Sequence, residues 1–127
     1  MTAHRRARLI PRLRVMQDAT ILLGPGKVDL LEAIERSGSL RKAASAVGMS
    51  YMRAWKLVAV MNEGFREPLV VMHRGGPAHG GAEVTETGRV AIRLYRRMEN
   101  DALRASKQAW TELQKLLGDS GDPSRDT

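Results

Sequence analysis

Between Lys27 and Arg36 the apolar residues Leu30, Leu31 and Ile34 fall on one stripe, with Asp29, Glu32 and Glu35 directed away from it. This spacing predicts an amphipathic helix that stops at Ser37-Gly38. Ser39 is then placed as the N-cap of a short helix whose inward residues are Leu40, Ala43, Ala44 and Val47. Gly48 interrupts it. Ser50 caps a third helix with apolar positions Ala54, Val58 and Met61, ending near Asn62–Gly64. Ahead of these helices, Leu13-Arg14-Val15-Met16 alternates and Thr20-Ile21-Leu22-Leu23 is an apolar run. A small hairpin turning at Gln17-Asp18-Ala19 is expected there, with Gly24-Pro25-Gly26 breaking the chain after it.

Beyond the third helix, the β-rich stretch Pro68–His73 and the segment Ala82-Glu83-Val84 flank the loop Gly75-Gly76-Pro77-Ala78-His79-Gly80-Gly81. Two strands around a glycine-rich tip predict a second hairpin. Thr85 or Thr87 caps a last helix running from Glu86 to about Leu117, and Gly118–Pro123 stops it. Its residues Ala91, Tyr95, Met98, Ala102, Ala105, Ala109 and Leu116 recur at nearly helical-repeat spacing, widened by Leu94, Leu103, Trp110 and Leu113. A helix this long cannot be covered by so small a body. Its first half is expected to pack on the first helix and hairpin, and the rest on a second copy of the chain. The organisation expected is a flexible basic arm over residues 1–11, one domain over 12–117, and a disordered tail over 118–127. The fold class is α+β, mostly α.

Composition sharpens this outline. Among 127 residues there are 21 Lys and Arg against 14 Asp and Glu, a net charge of +7. The excess is local: residues 1–97 carry 17 basic and 8 acidic side chains, residues 98–127 carry 4 and 6. A basic body points to a polyanion partner, most often nucleic acid. The absence of cysteine excludes disulfides, thiolate metal sites and Cys nucleophiles. The three histidines and seven methionines show no metal-ligand spacing, so no cofactor is expected. No apolar run approaches a membrane span and no secretory leader is apparent, so the expected location is the cytoplasm, on the nucleoid.

The order helix, short helix, glycine turn, third helix, hairpin is that of a winged helix-turn-helix. Ala43 and Ala44 allow close helix approach, and Gly48 suits a turn with positive φ. On the third helix Lys56 lies opposite the apolar stripe, Met52 and Arg53 face outward or sideways, and Ser50 and Tyr51 stand at the N-terminal end that meets base edges and phosphates. Arg53 is suited to a guanine edge and Lys56 to a base or phosphate. Arg41 and Lys42 suit backbone contacts, as do Gly75, Gly76 and His79 on the wing, and Arg74 suits entry into a minor groove or a phosphate clamp. Trp55, on the flank of the apolar stripe, is expected to pack against the wing, with stacking on a DNA sugar as the lesser alternative.

These residues carry a resemblance. Gly38-Ser39-Leu40 with Ala43-Ala44, Gly48-Met49-Ser50-Tyr51, Arg53-Ala54-Trp55, Met61-Asn62, Pro68-Leu69-Val70, the double-glycine wing and Val84-Thr85-Glu86-Thr87-Gly88 resemble the DNA-binding domain of ModE-type molybdate-responsive regulators. The first two helices and their turn are more loosely similar to LysR-type regulators. The resemblance covers roughly residues 12–115. It implies a bacterial, homodimeric transcription regulator, and a family in which a C-terminal oxyanion-binding module follows; this sequence ends at Thr127 without one. Pro77-Ala78-His79 stands where the family commonly has Lys and Gly.

The leading expectation is therefore a sequence-specific double-stranded-DNA-binding regulator, a repressor by promoter occlusion, acting as a homodimer on a (pseudo)palindromic operator and linked to molybdenum or other metal or oxyanion metabolism. The alternatives are a non-specific architectural DNA-binding protein, or a sensor of a small ligand or metal on the same fold, with an oxyanion or metal as effector. Enzyme chemistry is not expected. Gly24-Pro25-Gly26-Lys27-Val28 is too short for a phosphate loop and puts Val28 where Ser or Thr is required, and the scattered histidines assemble no triad.

Overall fold

Val15–Gln17 (β1) and Thr20–Leu23 (β2) form the expected antiparallel hairpin, with Gln17 opposite Thr20 and Met16 opposite Ile21. Asp18 makes the turn at φ +51°, a left-handed conformation that aspartate tolerates better than most side chains. These elements come from a computed structural model, which describes residues 6–73 and 81–118.

Helix α1 spans Pro25–Ser37, starting two residues earlier than the apolar stripe suggested. Pro25 does not break the chain but opens the helix, because its fixed φ is already helical and its missing N–H is one the first turn does not use. Gly38, at φ +69°, ends it, and the Gly38 N–H donates to the Ile34 carbonyl at 2.8 Å. Helices α2 (Leu40–Ala46) and α3 (Tyr51–Gly64) follow. Strands β3 (Val70–Met72) and β4 (Ala82–Val84) form a second antiparallel pair, Val70 opposite Val84. Helix α4 covers the 29 residues Glu86–Gln114. Thr85 is its cap rather than Thr87: Thr85 Oγ1 accepts from the Gly88 N–H at 3.0 Å.

The chain divides into two compact units, Arg12–Arg97, and Met1–Pro11 with Met98–Thr127. In the first, Val28, Leu30, Leu31 and Ile34 of α1, Leu40 and Ala43 of α2, Ala54 and Met61 of α3, and Leu69 and Tyr95 have essentially no exposed surface. Each buried Leu or Ile contributes roughly 1.5–3 kcal/mol relative to exposure. The expected inward stripes of all three helices are thus those observed, with Val47 only half-buried.

Polar contacts fix the base of the β3–β4 hairpin. Asn62 on α3 donates from Nδ2 to the Val70 carbonyl at 2.9 Å, and its Oδ1 accepts from the N–H groups of Leu69 and Val70 at 2.8 and 3.2 Å. The Ala82 N–H donates to the Gly38 carbonyl at 3.0 Å, which ties β4 to the α1–α2 junction. Gly88 is required for closeness: a Cβ there would run into the Leu69 carbonyl oxygen and stand 2.7 Å from Val84 Cγ1. Arg96 of α4 reaches α1, meeting Asp29 at 2.8 Å and Glu32 at 2.6 Å. Asp29 and Glu32 therefore do not simply point into solvent, as the amphipathic pattern suggested.

In the second unit, the described arm residues 6–10 carry no helix or strand. Leu9 lines a shallow pocket of about 180 Å³ with Ser106, Ala109, Trp110 and Leu113. Residues 1–5 of the expected arm and 119–127 of the expected tail lie outside the described residues.

Candidate nucleic-acid interface

Two serine caps and one glycine set the geometry of α2 and α3. Ser39 Oγ accepts from the Lys42 N–H and Ser50 Oγ from the Arg53 N–H, both at 3.1 Å. Each cap satisfies a donor that the first turn leaves orphaned. Between the helices, the Met49 N–H donates to the Ala44 carbonyl at 2.9 Å and the Gly48 N–H to the Ser45 carbonyl at 3.1 Å. This 6→1 and 5→2 pair, with Gly48 at φ +75°, is a Schellman motif, and it bears out the positive φ expected there. Buried Ala43 and Ala44 let α2 and α3 approach.

The face of α3 turned away from the core presents Met52, Arg53, Trp55, Lys56 and Ala59, all exposed. No acidic residue occurs in its first turn, and the first carboxylate along the helix is Glu63. Tyr51 is half-buried, and the Arg41 guanidinium lies over its ring at 4.5 Å from the centroid. That stacking preorients a cation at the start of α2 beside the start of α3. Lys42, one residue on, is exposed.

Trp55, expected to pack against the wing, leaves 49% of its surface open on α3, and Met52, one turn earlier, is 59% exposed; residues 74–80 of the wing lie outside the described residues. The physical reason for the exposure is angular: Ala54, Val58 and Met61 already fill the buried stripe, and position 55 is turned well out of it.

Lys27, which belongs to no phosphate loop, lies near this face. Its ammonium donates to the Ile21 carbonyl in β2. Burial first, and the Arg53 charge second, hold its pKa below the usual lysine value of 10.5. Lys27 on α1 and Arg53 on α3 thus stand close enough for their like charges to act on one another. Only the long-range approach of α1 to α3 creates this proximity, so no local pattern announces it.

Of the other expected site residues, Arg74, Gly75, Gly76 and His79 lie outside the described residues. At the described end of the wing, exposed His73 meets Glu83 Oε2 at 3.2 Å. Among the described residues no group of three or more His, Asp and Glu could hold a metal ion, and no helix is long and apolar enough to cross a membrane.

The stripe expected to dimerise splits in two. Tyr95 is wholly buried in the core of its own unit, its hydroxyl donating to the Leu13 carbonyl at 2.9 Å, and Ala91 packs against the same core. Tyr95 is therefore a fold residue with no surface left for a partner. Met98, Ala105, Ala109 and Leu116 are exposed and Ala102 is half-buried, with Leu94, Leu103 and Leu113 also open.

No protein-family model matches the chain. It is 36% identical over 111 residues to the molybdenum transport protein ModE of Azotobacter vinelandii, covering 87% of this chain and 41% of that protein. Against the DNA-binding transcriptional dual regulator ModE of Escherichia coli K12, identity is 34% over 89 residues, 70% of this chain and 33% of that protein. The chain thus spans at most about two-fifths of the length of these relatives. A solved structure, that of the CbnR_DBD–DNA complex, superposes with a TM-score of 0.53 at 18% identity, over 68% of this chain and 94% of that one. The ModE-like character read from the motifs and the α+β, mostly α, winged helix-turn-helix fold both hold.

Proposed function

We propose that this ModE-like winged helix-turn-helix domain reads double-stranded DNA as part of a transcriptional regulator linked to molybdenum, acting as a homodimer on a (pseudo)palindromic operator. The observation that carries the reading is the outer face of α3, basic, free of acids until Glu63, and set by two capped helices at the angle the glycine turn fixes. The relatives support it: one is named a DNA-binding transcriptional dual regulator.

In this reading the N-terminal half of α3 enters the major groove. Arg53 binds a guanine edge bidentately and Lys56 a base or phosphate beside it. Ser50, Tyr51, Arg41 and Lys42 hold the backbone at the helix entrance, and Arg74, Gly75, Gly76 and His79 of the wing follow the neighbouring phosphates. Asn62 fixes the base of the wing to α3, so helix and wing meet the duplex as one body. Met98, Ala102, Ala105 and Ala109 of α4, with Leu116 just beyond its end, pack against the same segment of a second copy. Two such reading helices, one from each copy, would engage half-sites roughly one helical turn or a little more apart.

The test is selection of duplexes from a random pool at about physiological salt, with and without molybdate. Enrichment of an inverted repeat is expected. Binding without enrichment would replace this reading by that of an architectural protein, and a single half-site would remove the dimer.

A further inference from the structure

The outer face of α3 joins exposed apolar side chains with exposed cations. Met52 and Trp55 are large apolar side chains, 59% and 49% exposed, and they sit beside Arg53 and Lys56. Covering such a patch with an apolar protein partner would also strip water from two cations that form no ion pair among the described residues, at a cost that burial of the patch would not offset. A polyanion satisfies the cations, and the apolar pair then needs an apolar group presented by that polyanion. On the floor of the major groove the group that qualifies is the C5-methyl of thymine.

We infer that Trp55 and Met52 form an apolar step that selects thymine methyl groups in the half-site read by α3. The inference rests on the DNA-reading proposal above and names what that face selects beyond guanine. Arg53 and Trp55 lie about 160° apart around the helix, on opposite shoulders of the exposed face, with Met52 and Lys56 on its crest. They therefore address different base pairs. Met52 and Trp55 are separated by about 4.5 Å along the helix axis, close to the spacing of about 3.4 Å between stacked bases. The pair spans neighbouring steps, and exposed Ala59, one turn beyond Trp55, adds no bulk that would hold it off the groove floor. The half-site this predicts has thymines adjoining the base pair read by Arg53.

The experiment takes the duplex enriched from the random pool and remakes it with deoxyuridine at every thymine of the half-sites, which removes only the methyl groups. Affinities for the two forms are measured for the wild-type chain and for Trp55→Ala, Trp55→Gln, Met52→Ala and Arg53→Ala, with circular dichroism confirming equal helicity. The wild type is expected to lose about fourfold for each methyl it covers. Trp55→Ala, Trp55→Gln and Met52→Ala should each show a reduced preference, smaller by about fourfold for each methyl left uncovered, and Arg53→Ala should weaken binding while keeping the thymine preference. An enriched half-site without thymine, a wild-type ratio near one, or a ratio that persists unchanged in the Trp55 and Met52 variants overturns the inference. Such a persisting ratio would mean that duplex shape, not methyl contact, distinguishes the two forms. A pool with no enriched sequence instead removes the DNA-reading proposal itself, and this inference with it.

Discussion

Replacing Asn62 by alanine should loosen the wing from α3 and cost about 2–4 kcal/mol of folding free energy. The side chain makes three hydrogen bonds, to the Leu69 N–H, the Val70 N–H and the Val70 carbonyl. Leu69 and Val70 are 0% and 2% exposed, so water cannot take over these backbone groups without local opening. A satisfied bond of this kind is worth about 0.5–1.5 kcal/mol net, and a buried group left unpaired costs about 1–3 kcal/mol. Three such groups with partial relaxation give the stated range. For a domain of this size each kcal/mol lowers the melting temperature by about 4–8 °C, so a fall of at least about 8 °C is expected. Urea denaturation followed by far-ultraviolet circular dichroism reads the free energy, and an unchanged m-value shows that the loss is one of stability. Asn62→Asp sharpens the comparison: it keeps an acceptor for the two N–H groups but sets a carboxylate against the Val70 carbonyl. A loss under about 0.5 kcal/mol for Asn62→Ala would refute the claim that this side chain anchors the wing.

Three further outcomes are expected. Gly88→Ala should destabilise by about 1–3 kcal/mol, since its Cβ meets the Leu69 backbone rather than a movable side-chain end; thermal melts check this, and an unchanged melting temperature would contradict the packing. Arg53→Ala should relax base preference at one position and weaken specific binding by about 1–3 kcal/mol, read by competition among single-base variants of the enriched duplex. Lys27 has a folded pKa below its ordinary 10.5, so its charged form is disfavoured in the fold and the cost of carrying it disappears as pH rises through the lowered value toward 10.5. The stability of the wild type relative to Lys27→Met should therefore rise across that alkaline window; a flat difference in denaturation midpoint would show that the shift is absent.

The parts of the fold legible in the sequence are those that local rules dictate. Ser39 and Ser50 are caps, Gly48 is the left-handed turn residue, and the stripes through Leu30, Ala43 and Ala54 are the buried ones, because each follows from helical periodicity or a single backbone requirement. Pro25 was misread since the same residue both interrupts and initiates helices, and only the apolar phase of the following turns distinguishes the two. Long-range contacts were not legible. Nothing within α4 alone says that Tyr95 reaches Leu13, or that Arg96 pairs with Asp29 and Glu32 on α1. The approach of Lys27 to Arg53 and the outward turn of Trp55 belong to the same class: they depend on how helices far apart in sequence are set against one another.

The central claim, that α3 reads base sequence in a duplex, is tested most directly by the ratio of affinities for the enriched duplex and a scrambled duplex of the same length and composition. Measured across salt at about physiological ionic strength, the ratio is predicted to be about 10³ or more, with both affinities falling steeply as salt rises. A ratio near one, with the salt dependence intact, would show a surface that holds phosphates without reading bases and would contradict the account.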